Sequence, residues 1–283
     1  GDPATLECTN SLEIDAMELT LGKPSIPVIQ ESQFKFEALV VARTSHKVYS
    51  GAVGGQSVII QVFDSVPNAK DEFTKELEIL HKLRSPVLPK AIGYSLDPKL
   101  CIVTERIEPD LRSYLQNKKD EFSLKEAVSI MLESAKSMTI LHTWVPSLLH
   151  RDLTSSKLLL CKTQEGSSVK IGDIVHARFW DSQNTHSLRQ IKGEEMEYCA
   201  PECFDPAGTY STHSDVYSFA IIMWEIIYRQ VTGKYKKPYF DVADTRAVTF
   251  MTLIVRKLKR PEIPKECPDQ IRELIESSWH PVV

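Results

Sequence analysis

The hydrophobic pattern changes character once along the chain. From Gln33 to Glu105, short β-branched runs (Val40-Val41, Val48-Tyr49, Ser57–Phe63 and Cys101–Thr104) are separated by turn residues and predict strands. One helix interrupts them, because Phe73, Leu77, Leu80 and Leu83 recur at helical spacing. After Glu105 the helical period takes over. Residues 124–142 predict a helix whose apolar face is Leu124, Val128, Met131, Leu132, Ala135 and Met138. Residues 216–228 (VYSFAIIMWEIIY) are apolar nearly all round, as a helix at the centre of a domain is. Pro268 opens a further helix carrying Ile271, Leu274 and Ile275, since proline is tolerated in a first turn. The expected order is a small strand-rich lobe followed by a larger helical one, with the switch near Glu105–Asp110. Residues 1–33, broken by Pro24 and Pro27, read as an N-terminal extension packed on or trailing from the domain.

Composition narrows the function classes. The 283 residues are 42% hydrophobic and 25% charged, enough for a sizeable core. A formal net charge of -4 supplies no basic footprint, so neither nucleic acid nor an anionic lipid surface is expected as a partner. No run approaches the length of a membrane-spanning helix. The cysteines (Cys8, Cys101, Cys161, Cys199, Cys203, Cys267) lack paired metal-ligand spacing, and their scatter suits reduced thiols and a cytoplasmic location.

Six segments carry chemistry, and they stand in a telling order. SVIIQVFD (57–64) ends the strand-rich third run, and FTKELEIL (73–80) holds Glu76 on the helix after it. LHRDLTSSKLLL (149–160), KIGDIVHAR (170–178), YCAPECF (198–204) and SDVYSFAIIMWEI (214–226) follow. This succession resembles the protein-kinase signature set of V-A-I-K strand, helix glutamate, catalytic loop, D-F-G, A-P-E and central helix. The resemblance covers about residues 34–279, and the style of the larger lobe is most similar to the tyrosine-kinase-like group. It implies an α+β, two-lobed protein-kinase-like fold: an antiparallel N-lobe with one helix over 34–105, and a mainly helical C-lobe over 106–283. Residues Thr104, Glu105, Arg106 and Ile107 would form the hinge between them. The resemblance also implies that the chain stops before the arginine that Glu202 of A-P-E normally pairs, so its C-terminal end is expected to be cut short.

Set against that family, the nucleotide machinery is degraded. Phosphoryl transfer works by positioning and charge stabilisation, through a lysine, a glycine loop, metal ligands and a catalytic aspartate. Gln61 occupies the lysine position and supplies no cation, which also removes the partner of Glu76. Val41, Arg43 and His46 stand at the three glycine positions. Their Cβ atoms obstruct the backbone's approach to phosphate, leaving Arg43 and His46 either as side-chain phosphate contacts or as polar residues on an exposed hairpin. Ile59 replaces the alanine that roofs adenine and crowds that slot. In the catalytic loop His150, Arg151 and Asp152 are intact, but Lys157 stands where an asparagine would bind metal. Asp173 is retained while Ile174 and Val175 replace the rest of D-F-G, and Glu194 and Glu195 replace the substrate-facing Gly-Thr.

The resemblance therefore implies a pseudokinase, a signalling scaffold or conformational switch acting through protein contacts. ATP and magnesium binding would be weak or absent, with no cofactor, and the partners would be other signalling proteins, an upstream or partner kinase among them. The alternative is a weak or atypical serine/threonine/tyrosine protein kinase with residual ATP binding that need not depend on metal. In it, Arg43, His46 or Lys157 replaces lost charges, Asp152 is the surviving base, and Asp173 ligates metal only if magnesium binding is retained. On the first reading, Lys157 takes the cation's place by pairing with Asp152 or Asp173. Asp215 is expected to bond the catalytic-loop backbone. Arg151 could receive a phosphate on Ser182, Thr185 or Ser187.

Overall fold

A computed structural model describes residues 26–42, 46–63, 69–163, 166–180, 193–205, 208–243 and 246–280. The chain divides into two units: one spans residues 1–86 and 90–106, the other 87–89 and 107–283.

The first unit is built on β1 (Phe34–Ala42), β2 (Lys47–Val53), β3 (Gln56–Val62), β4 (Ala91–Ser95) and β5 (Cys101–Glu105), with one helix, α1 (Ala69–Leu83). The strands form a wholly antiparallel sheet in the order β1-β2-β3-β5-β4. Its core follows from alternation in β3: Val58, Ile60 and Val62 turn to one face and meet Cys101 and Val103 of β5. Gly54 and Gly55 both adopt positive φ, at 56° and 82°, the backbone that a two-residue hairpin demands. In α1 the stripe Phe73, Leu77, Leu80 and Leu83 is buried as its spacing predicts, with Phe73 packed on Phe63 and Tyr94.

Among the described residues before β1, the stretch at 27–29 lies along β4. Ile29 N–H donates to the Tyr94 carbonyl at 2.7 Å, and Tyr94 N–H to that of Pro27 at 3.0 Å, so Pro27–Ile29 covers the β4 edge. Gly93 is required there, because a Cβ would collide with the Ile29 side chain.

The second unit is mainly helical: α2 (Leu111–Asn117), α3 (Leu124–His142), α4 (Thr212–Thr232), α5 (Ala247–Met251) and α6 (Asp269–Ser278). Short ladders, β6 (Leu148–Leu149) with β9 (Arg178–Phe179) and β7 (Leu158–Thr163) with β8 (Gly166–Ile171), shape the loops between helices. The α4 helix is buried nearly all round, as the sequence requires, and ends at Gly233 in the left-handed region with φ 71°. The architecture is thus α+β, an antiparallel sheet with one helix followed by a helical unit. Among the described residues no helix is long and apolar enough to cross a membrane.

The buried face of α3 differs from the expected one. Ala127, Ile130, Met131, Ser134, Ser137, Met138 and Leu141 face inward, whereas Leu124, Val128 and Leu132 are exposed. Two serines make the difference. Ser134 hydroxyl donates to the Ile130 carbonyl at 2.7 Å, and Ser137 hydroxyl to the Val169 carbonyl of β8 at 2.5 Å. Polar groups satisfied in this way are buried at little cost, and a reading by hydrophobicity alone assigns them to solvent.

Candidate functional site

The site in the second unit is organised by one carboxylate at the start of α4. Asp215 accepts the His150 N–H through Oδ2 at 2.8 Å and the Arg151 N–H through Oδ1 at 2.9 Å. Its Oδ2 also lies 2.9 Å from His142 Nε2 at the end of α3. Two helices therefore hold the loop 150–157, and Asp215 takes the backbone-bonding position expected of it. The loop turns sharply at Arg151, whose φ is 66°, and the guanidinium lies 4.6 Å from the centre of the Tyr210 ring. A non-glycine residue in this region is uncommon and marks a place where surrounding contacts overrule local preference.

His150 is a strut beneath the loop. Asp152 N–H donates to its Nδ1 at 3.3 Å, so its Nε2 carries the proton and donates to the Gly172 carbonyl at 3.2 Å. Burial pushes its pKa below the ordinary value, and the nearby Lys157 cation lowers it further. The ring is a neutral structural donor.

The charged centre lies beside it. Lys157 is 1% exposed, and its ammonium donates to Asp152 Oδ2 and lies 3.3 Å from Asp173 Oδ2. The lysine is held from both sides, since its own N–H bonds the Thr154 carbonyl at 3.0 Å and its carbonyl accepts from Gly172 N–H at 2.8 Å. Asp173 is aimed by a left-handed backbone, φ 53°. Ile174 and Val175 following it are buried, and Arg178 Nη1 donates to the Val175 carbonyl at 2.8 Å. The two β-branched residues in place of Phe-Gly thus anchor this turn in the core.

As arranged, these residues do not fit a divalent cation. The Lys157 ammonium stands 3.3 Å from Oδ2 of Asp173, the carboxylate that would ligate the ion, and a positive group there repels a second one. Among the described residues no cluster of three or more His, Cys, Asp or Glu has metal-ligating geometry.

The remaining sequence-singled residues are spread over both units. Gln61 and Glu76 are buried in the first unit, on β3 and α1, and Ile59 on β3 is half-buried. Val41 is half-buried on β1, opposite Val48. Arg43 lies outside the described residues. His46 is not a residue of an exposed hairpin: it is buried, stacked on Phe63 with ring centroids 5.4 Å apart. A flat imidazole against an aromatic face explains the burial. Thr104 and Glu105 end β5 and Arg106 follows it in the first unit, where the Glu105 carboxylate accepts the Lys90 N–H at 2.7 Å and Arg106 lies 3.7 Å from Glu37. Ile107 opens the second unit. Glu202 accepts from the Ser214 hydroxyl at 2.8 Å. Ser182, Thr185 and Ser187 lie outside the described residues, as do the side chains of Glu194 and Glu195.

Sequence reasoning missed a second polar centre. Glu225, in the middle of α4, is fully buried. It accepts hydroxyl protons from Tyr198 at 2.9 Å, Tyr235 at 2.8 Å and Ser155 at 3.1 Å. Arg112 donates to Tyr198 and Ser155 at 3.2 and 3.3 Å. Burial pushes the Glu225 carboxyl up to about 7, against the opposing pull of Arg112 and the three hydroxyls. The available signal was a lone charge within the apolar run 216–228.

Comparisons with known proteins identify the family. The sequence profile of the family described as protein tyrosine and serine/threonine kinase matches residues 38–282. In Dictyostelium discoideum, the stress-activated protein kinase alpha is 31% identical over 90% of this chain and 40% of its own length. Ankyrin repeat-containing protein kinase A of the same organism is 30% identical over 94% of this chain and 18% of its length. A protein named there as a probable serine/threonine-protein kinase is 34% identical over 88% of this chain and 25% of its length. The chain thus spans less than half of each of these relatives. With the fold, the loop held by Asp215 and a family match over nearly its whole length, this chain belongs to the protein tyrosine and serine/threonine kinase family.

Proposed function

We propose that this domain is a kinase relative in which metal-dependent phosphoryl transfer is weak or lost, and which signals by binding other proteins, an upstream or partner kinase among them. The supporting observation is the Lys157 ammonium between Asp152 and Asp173. A magnesium ion has to displace a buried ammonium that two carboxylates hold, and breaking a buried ion pair costs about 3–5 kcal/mol. Asp152 is also drawn into that pair, which lowers its readiness to accept a substrate hydroxyl proton. On this reading any nucleotide binding is independent of metal.

Thermal stabilisation by ATP, measured with magnesium and then with EDTA, tests the proposal, since a ligand specific for the folded state raises the melting temperature with occupancy. Equal shifts in the two conditions, or none in either, support it. A shift confined to magnesium sinks it.

A second reading, a weak or atypical protein kinase, is favoured by the retention of both aspartates and by the names of the relatives. It is established by phosphate transfer that Asp152→Ala abolishes.

A further inference from the structure

A cleft of about 240 Å³ opens in the second unit beside the C-terminal half of α4. Helical spacing builds its floor: Trp224 and Tyr228 stand one turn apart on one face of α4, with ring centroids 4.9 Å apart. Beyond α4, Tyr239 adopts a φ of 54°, uncommon for a bulky residue. Burial of its ring against Phe250, 5.1 Å away, holds that turn. Phe240 is thereby left 45% exposed at the cleft, its ring 5.6 Å from that of Tyr228 and 6.5 Å from that of Trp224. A further wall includes Glu262, whose carbonyl accepts the Trp224 indole N–H at 2.8 Å. Trp224 itself is buried, so the aromatic surface open to a ligand belongs to Tyr228 and Phe240.

Charge then selects the ligand. Two carboxylates and no basic side chain line the cleft. Asp241 is answered by Lys259 at 2.6 Å. The Glu262 side chain is exposed and makes no hydrogen bond or ion pair among the described residues. The Phe240 ring already draws a cation, since the Lys236 ammonium lies 5.4 Å from its centroid, and Lys236 lines the neighbouring cleft rather than this one.

This lining opposes an anion. A primary ammonium has three donors to satisfy and is strongly hydrated, while the cleft offers it one unengaged carboxylate. An alkylated ammonium is covered by carbon, needs no hydrogen-bond acceptor and gains from aromatic faces. The cleft is smaller than the roughly 300–1,000 Å³ of sites that enclose drug-sized ligands, which suits a single headgroup.

We propose that this cleft binds an alkylammonium cation, quaternary or N-methylated, with Tyr228 and Phe240 against its methyl groups and Glu262 answering its charge. The group is carried either by a free choline-like molecule or by a methylated lysine of a partner protein. The site uses no residue of the Lys157 centre, so its failure and that of the proposed function are separable.

The probes are choline, its uncharged isostere 3,3-dimethylbutan-1-ol, and one short peptide carrying either trimethyllysine or unmodified lysine. Binding is read by titration calorimetry, and folding by the melting temperature. Choline or the trimethyllysine peptide is expected to bind at least about fivefold more tightly than its counterpart. Tighter binding of choline assigns the cleft to a free metabolite, and tighter binding of the peptide to a modified partner; either supports the proposal. Phe240→Leu keeps apolar bulk without the aromatic face, and is expected to abolish the preference for the cation with the melting temperature preserved. Glu262→Gln is expected to weaken cation binding about threefold and to leave the isostere unaffected. ATP-dependent stabilisation should be unchanged in both variants. Equal binding of choline and its isostere together with equal binding of the two peptides, or binding of no cation, overturns the proposal. So does a preference that survives Phe240→Leu. A decaproline peptide that binds where the cations do not assigns the cleft to an extended proline segment and likewise overturns it.

Discussion

Lys157 stands where the catalytic-loop motif puts an asparagine, and its ammonium lies between the carboxylates of Asp152 and Asp173. The catalytic-loop motif fixes where residue 157 must lie, and elementary charge chemistry says what a lysine there will seek. That pairing was legible from sequence because both of its carboxylates are motif residues themselves. His46 was not legible, because its place is set by Phe63, a residue no motif connects to it. The lysine yields a paired prediction. Lys157→Ala removes the buried ammonium from between two carboxylates and should lower unfolding stability by about 3–5 kcal/mol in urea denaturation. Lys157→Asn removes the ammonium but restores an oxygen ligand, so magnesium should raise its melting temperature while leaving the parent protein unmoved. A magnesium effect of equal size in both proteins would show that Lys157 does not occupy the cation's place.

At the scale of the element, legibility depended on how far burial follows hydrophobicity. It does so in β3, where Val58, Ile60 and Val62 alternate inward, and in α4, apolar on every side. It fails in α3, whose inward face carries Ser134 and Ser137 and whose outer face carries Leu124, Val128 and Leu132. Hydrogen bonds to carbonyls of α3 and β8 decide the matter there, and β8 is distant in sequence. Opposite effects are expected from two substitutions in this helix. Ser137→Ala strands the Val169 carbonyl inside the unit and should cost about 1–3 kcal/mol. Leu132→Ser on the exposed side should change stability by no more than about 0.5 kcal/mol. Denaturant midpoints check both, and a larger loss at Leu132 would return the helix to the face its hydrophobicity predicts.

For the whole molecule, the sequence yielded the family and the change from strands to helices. It did not yield the charge held in the centre of the second unit. That charge gives the stability a pH signature. Glu225 faces Arg112 and the hydroxyls of Ser155, Tyr198 and Tyr235, and its carboxyl is raised from 4.5 to about 7. A folded pKa above the unfolded one means that the native state holds the proton more tightly, so this contribution is complete below 4.5 and disappears as pH rises through about 7. His150 acts in the opposite sense. Its folded pKa lies below the ordinary 6.5, so acidification protonates the unfolded chain first and stability falls as pH drops below that value. The two slopes oppose one another under acid conditions, and above pH 6.5 the Glu225 slope remains, about 1 kcal/mol by the linkage integral. Glu225→Gln keeps a neutral, hydrogen-bonding group in place and removes the titration. The stability difference between parent and variant should therefore move against the parent between pH 6 and 8, while the acid limb set by His150 stays in both. Parallel profiles across that interval would place the proton elsewhere and leave Glu225 an ordinary carboxylate neutralised by Arg112.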